Sequence, residues 1–376
     1  MYIIIKHVRL RLTIKINYIG MKNRHIKVIA FLFSIMVFSC NIPDTIVTNI
    51  IHRDGSVTRI IEMKNSRNKF DNSVVQVPYD STWNIHDTLV INSTGDTTWV
   101  RRAWKIFADT AEINRDYMAD SSANKSVSRR SEFRKKFRWF STHYRYAEII
   151  DKELQGGYPV GKFLDEDEQM WFYSPVDVNE NKLGGPDSLV YRALRDSVIS
   201  KTERWSVTNI VSLWIEEFGA LADRKPGSLI DGKSLKSREA EFTEIIMNDL
   251  GNFDSLWSDG TLLGKFIGPE NVEEYRNDAD SAFKHAVEKV LIDFSSYSTR
   301  MILPGKLMAA NGYNDSTGAV LWPVKSDYFL TETYEMWAES RVRHIWAWIL
   351  TFSLLTILIA LTFIWRRKRG SGPPVL

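Results

Sequence analysis

A single cysteine, Cys40, serves all 376 residues, so the chain can form neither an internal disulfide nor a cysteine-based zinc site. Acid is missing from both ends. Residues 1–40 carry seven Lys/Arg and residues 341–376 carry six, with no Asp or Glu in either stretch. Between Asn41 and Ser340 stand 36 bases against 46 acids, a net charge of −10, although the whole chain is +3 with a pI near 8.7. A segment of that sign repels a polyanion, which argues against nucleic acid as a partner.

The familiar catalytic signatures are also lacking. There is no Gly-x-Ser-x-Gly elbow, no phosphate loop, no Gly-x-Gly-x-x-Gly and no His-Glu-x-x-His helix. The four histidines between the ends, His52, His86, His143 and His285, are too far apart in sequence to form a local metal motif. No catalytic residue, metal site or cofactor is therefore assigned from sequence, and a binding or structural protein is expected rather than an enzyme. The alternative is an envelope hydrolase whose site assembles from residues distant in sequence.

Two apolar runs dominate what is present. From Met21 a short cationic head leads into Val28–Phe38 and then Ser39-Cys40. The run is too short to cross a bilayer, which needs roughly 20 residues, and has the form of a secretory signal. Val37-Phe38-Ser39-Cys40 resembles the lipobox of bacterial lipoproteins, which implies acylation of the Cys40 thiol, the one side chain nucleophilic enough for that thioether. Met21 is read as the true start and residues 1–20 as a spurious extension. Ile345–Trp365 is a second run of 21 residues without charge, Gly or Pro, long enough as a helix to span roughly 31 Å. Trp346, Trp348 and Trp365 mark its two interfaces, and Arg366-Arg367-Lys368-Arg369 places the tail in the cytoplasm.

The sequence therefore divides into a signal at 21–40, an extracytoplasmic domain at 41–344, a membrane helix at 345–365 and a tail at 366–376. The expected location is the inner membrane, lipid-anchored and single-pass, with the bulk of the chain on the periplasmic side. Ten Trp between the two anchors point to an ordered domain rather than a tether.

Within that domain, Thr45–Ile51 and Ser56–Met63 flank an Asp54-Gly55 turn and read as a hairpin. Thr97–Phe107 and Phe133–Ile150 read as strands, with a polar helix over Thr110–Ala123 between them. Helical periodicity covers Asp165–Phe172, Asp187–Leu221, Ser237–Leu250 and Pro269–Phe294. Strand character returns over Tyr297–Leu303, Lys306–Ala310, Ala319–Val324 and Tyr328–Trp337. The expected fold is α+β: an antiparallel sheet built from the N- and C-terminal segments, a helical insert at about 160–294, and one C-terminal membrane helix. Short connections to both anchors predict that the first and last strands lie together at the membrane, each sheet terminus within roughly 18 Å of it.

The lipobox, the Asp54-Gly55-Ser56 hairpin, the late block Pro304-Gly305, Gly312 and Trp322, and the final apolar helix together resemble LppM-like bacterial envelope lipoproteins, those of Bacteroidetes-type bacteria above all. The likeness covers the first 30 and last 80 residues or so of the exported part, and the helical middle departs from it. It implies a lipid-type ligand.

Two polar clusters invite function. Asp165-Glu166-Asp167-Glu168 is the densest acidic run and reads as a helix start favoured by the helix dipole, since consecutive carboxylates diverge. Arg129, Arg130, Arg134, Lys135, Lys136 and Arg138 reverse the domain's sign locally and form the candidate patch for an anionic partner. Phe137, Trp139, Tyr144 and Tyr146 beside them read as core residues or cross-strand pairs. The expected partners are membrane lipids and a membrane protein.

Overall fold

The computed structural model describes residues 43–370, save 92, 94, 175–185, 229 and 316. The signal segment, Cys40 and the end of the tail lie outside these residues.

Alternation of apolar and polar residues builds the N-terminal hairpin. β1 (Asp44–Ile51) and β2 (Val57–Asn65) bury every second side chain and pair in antiparallel register from Asp44↔Lys64 to Ile51↔Val57. Gly55 turns the chain at φ 105°, a conformation that suits glycine, and a Cβ there would press on the Phe133 ring. β3 (Asn84–Ile91) and β4 (Thr97–Phe107) extend this sheet on the β2 side. On the other side β7 (Tyr297–Ile302), β10 (Val320–Val324) and β9 (Tyr313–Asn314) complete seven strands in the order β3-β4-β2-β1-β7-β10-β9.

A second sheet has four strands in the order β5-β6-β11-β8. The aromatic stretch expected as one strand folds as a hairpin, β5 (Arg129–Arg138) and β6 (Ser141–Ile150), turning at Trp139-Phe140. β11 (Tyr334–Arg343) pairs with β6 along its whole length and with β8 (Lys306–Ala310) on its far side. The inner faces stack, with Val47, Ile61 and Val320 from one sheet meeting Tyr146, Ile150 and Ala338 from the other. α1 (Thr110–Met118), capped by Asp109, contributes Ile113 and Tyr117 to this core.

The segment between β6 and β7 is helical, as expected. α2 (Glu166–Phe172) starts with a capping box between Asp165 and Glu168. α3 (Pro186–Ala222), α4 (Gly232–Ser237), α5 (Glu239–Asp249), α6 (Phe253–Ser258), α7 (Thr261–Ile267) and α8 (Val272–Val290) follow. They own a separate core around Trp214, Phe218, Phe242 and Phe266. A smaller cluster with Leu154, Trp205, Val290 and Leu330 joins this block to the sheets.

The fold is thus α+β, with sheets made from the N- and C-terminal segments around a helical insert. Within it β1 and β7 run parallel, Ile46↔Ser298 to Ile50↔Ile302. That pairing corrects the expected placement of the first strand. β7 leads through Gly305 into β8, whose Lys306 pairs with Arg341 near the end of β11, just before the apolar helix α9 (Ile345–Gly370). The β1–β2 turn therefore points toward α9, and Asp44 lies at the opposite end of the strand, about 23 Å away at strand rise. The first and last strands occupy different sheets. The physical reason is the direction of the hairpin: its tip, rather than its entry, is held beside the apolar helix α9.

α9 carries one apolar span over Ile345–Arg366, with a mean hydropathy of 2.4 in its most apolar stretch. Its side chains are exposed nearly throughout, and little of the span is buried against the other described residues. The chain ends in an apolar helix long enough to cross a membrane.

Candidate functional site

Two surfaces stand out from the described residues. The first is the outer edge of the larger sheet. Among the described residues β3 pairs with β4 on one side and with no strand on the other, and all eight of its residues are exposed. Ile85, Leu89 and Ile91 stand on one face of the sheet and Val90 on the other; Ile91 is 65% exposed, and Ile106 of β4 is 66% exposed. One ion pair holds the strand in register, Arg101 donating to both oxygens of Asp87 at 2.7 Å. Those bonds hold the Asp87 carboxyl below its usual range despite partial burial. Edge strands in soluble proteins are ordinarily short, charged or covered, because an open one templates pairing with another chain. Sequence reading missed β3. Its apolar residues are split between both faces, so the strand lacks the clean alternation that a half-buried strand shows.

The second surface is the β5–β6 turn against the start of α9. Trp139 donates from Nε1 to the Thr351 hydroxyl at 2.8 Å, and its ring meets Trp346 at 5.3 Å between centroids. Phe140 packs on Trp348 at 4.3 Å, and its carbonyl accepts from the His344 amide at 2.9 Å. His344 also shares a hydrogen bond with Thr142 at 2.9 Å. The hairpin tip is thus strapped to the first two turns of the apolar helix. Trp139 and Phe137, expected as core or cross-strand pairs, remain exposed, whereas Tyr144 and Tyr146 are buried in the sheet.

The six residues of the proposed anionic-partner patch do not share one surface. Arg129 is buried and paired with Asp120, its guanidinium 4.9 Å over the Tyr117 ring. Arg130 pairs with Asp151, and Arg134 with Glu132 at 3.2 Å. Lys135 donates to the Arg53 carbonyl at 2.8 Å, tying the β1–β2 tip to β5. Lys136 and Arg138 alone stand at the end next to α9 with no carboxylate of the described residues beside them. The acidic run behaves as a helix start: Glu168 turns inward to Lys201 and Ser197 at 2.6 Å each, while Asp165 caps the helix.

Residue types that could serve hydrolysis do not converge among the described residues. An open depression of about 410 Å³ at the β1–β2 tip is lined by His52, Arg53, Asp54, Ser56 and Ile106. There His52 bonds Thr58 at 2.8 Å while Ser56 donates to Asp54 at 2.7 Å, so the histidine has no serine to activate. His86 and His143 bond within their own strands to Thr88 and Ser141, and His285 of α8 bonds Glu217 of α3. No group of three or more His, Cys, Asp or Glu with metal-binding geometry is found among the described residues.

No known family profile matches the chain, and no curated protein does. Among solved structures, the folded domain of the Mycobacterium tuberculosis LppM protein is similar at 8% identity, covering 82% of this chain and 94% of that chain with a TM-score of 0.27. A superposition that loose transfers neither topology nor function, and the two surfaces above are argued from their own residues.

Proposed function

We propose that the chain is a single-pass envelope lipoprotein of the inner membrane whose periplasmic domain is a non-enzymatic partner-binding module. The cationic tail after α9 supports that orientation, because positive charge is retained on the cytoplasmic side. The lipobox ending at Cys40 supports export and acylation of the part that follows.

The observation that carries the binding reading is the open, apolar edge of β3. Its partner is an extended peptide segment of an envelope protein, added as an eighth strand with apolar side chains on both faces to cover Ile85, Leu89, Val90 and Ile91. Backbone bonds along the edge supply affinity, and alternate side chains supply selectivity.

Hydrogen exchange of the full chain tests this, measured in its native membrane and again after purification. The β3 amides exchange slowly in the membrane and fast in the purified chain, and Leu89→Lys with Val90→Lys removes the difference. Equal, fast exchange of β3 in both preparations would overturn the reading.

A further inference from the structure

We infer that the membrane-proximal end of the four-stranded sheet is a binding site for the headgroups of anionic phospholipids, built from cations on three of its strands, β5, β8 and β11. Strand register assembles it. On the face turned away from the core, Lys136 of β5 pairs with His143 of β6, which pairs with Arg341 of β11, which pairs with Lys306 of β8. The next rung toward α9 is Arg138, Ser141 and Arg343. Among the described residues no carboxylate lies within 4.0 Å of Lys136, Arg138, Lys306, Arg341 or Arg343. The first acids on that face, Glu132 and Glu339, are already engaged by Arg134 and by Arg145.

Two facts make this more than a solvated charged surface. Like charges directly opposite one another across strands destabilise a sheet, and here Lys306 faces Arg341 without a counter-charge, in a domain that is otherwise acidic. Position supplies the counter-charge. Arg343 is two residues before the first residue of the apolar span, and the aromatic tip at Trp139-Phe140 is strapped to that span, so both rungs stand at headgroup level. A phosphate diester between the rungs neutralises cations that no carboxylate of the described residues pairs. The inference uses only the insertion of α9 and stands apart from the β3 edge.

The test uses the full chain in a zwitterionic detergent, its thermal unfolding followed while short-chain phosphatidylglycerol or phosphatidylcholine is added. The wild type is stabilised by phosphatidylglycerol and not by phosphatidylcholine. Lys136→Gln, Lys306→Gln and Arg341→Gln each weaken the phosphatidylglycerol response about fivefold. The triple variant unfolds no earlier than wild type without lipid, since repulsion has been removed, which separates lost binding from lost folding. The tail Arg366–Arg369 is present in every sample and cancels from the comparison. An equal response of wild type and triple variant overturns the site. So does equal stabilisation by the two lipids, by inorganic phosphate alone, or by polyglutamate standing in for an acidic protein.

Discussion

Arg59 on β2 and Glu148 on β6 form an ion pair in the seam between the two sheets, with side chains 2% and 4% exposed. Asn49 completes the bridge, accepting from Arg59 Nε at 2.8 Å and donating to Glu148 at 3.1 Å, and the Tyr146 hydroxyl adds a further bond to Glu148 at 3.1 Å. Burial alone would lower the Arg59 pKa, yet Tyr117, Glu148 and Tyr146 carry it above its ordinary value, so the guanidinium stays charged. This buried network ties one sheet to the other beside their shared apolar core.

Removing one partner leaves the other charge buried without its counter-ion. Arg59→Met is expected to cost about 3 to 5 kcal/mol, and Arg59→Met with Glu148→Leu less than the sum of the two single changes. Denaturant unfolding of the detergent-solubilised chain, followed by tryptophan fluorescence, measures both. Additive losses would show that the pair is not coupled.

Glu168 gives a pH prediction. Burial pushes its carboxyl up, but bonds from Lys201, Ser197 and the Asp165 amide outweigh this and hold it at about 2. The folded value lies below the unfolded one, so the carboxylate stabilises the fold above about pH 4.5 and the contribution fades as pH falls toward 2. Glu168→Gln is expected to cost about 2 kcal/mol at neutral pH, with a smaller difference from wild type at pH 3. A difference that grows on acidification would reverse the assignment.

The two sheets were legible in part for a reason these residues illustrate. β1 and β2 alternate strictly because one face of each meets the core, and Asp54-Gly55 fixes their turn. The Arg59–Glu148 contact lies 89 residues apart in sequence, and no local pattern announces it. The β5–β6 turn was hidden because Trp139-Phe140 lacks Gly, Asn or Pro, and its contacts are made to α9, with Trp139 and Thr351 212 residues apart. Of the candidate patch, sequence proximity suggested one cluster, whereas strand alternation sends Lys135 and Phe137 to one face and Lys136 and Arg138 to the other. Lys306, Arg341 and Arg343 join the latter only through pairing.

The Trp139–Thr351 bond predicts a depth. Thr351 is six residues past Ile345, about 9 Å along the helix, so insertion of α9 is expected to carry the β5–β6 tip into the membrane with it. In a Cys40→Ser background, a nitroxide at Trp139→Cys should be relaxed by oxygen more than by a water-soluble nickel chelate, as one at Thr351→Cys is. A label at Trp139→Cys that behaves like one at the exposed Gly95→Cys would place the tip in water.

The direction of β1 bears on the second anchor. Pro43 is held at the far end of the strand, its carbonyl accepting from Gln76 at 2.8 Å. Three peptide steps separate it from Cys40, a reach of about 11 Å at most, against about 23 Å of β1 alone between Asp44 and the end beside α9. An acyl chain on Cys40 therefore meets the bilayer that holds α9 only if the sheets lie over along its surface. An upright domain directs the lipid toward an opposing membrane instead. Labelled palmitate should enter the wild type and not Cys40→Ser. Lipid-phase quenching of a fluorophore at exposed Asp44→Cys, attached in the Cys40→Ser chain and compared with one at exposed Arg343→Cys, then reads the tilt. Equal quenching at the two sites means a domain that lies over without its acyl chain, and quenching at Arg343→Cys alone means one that stands upright without it.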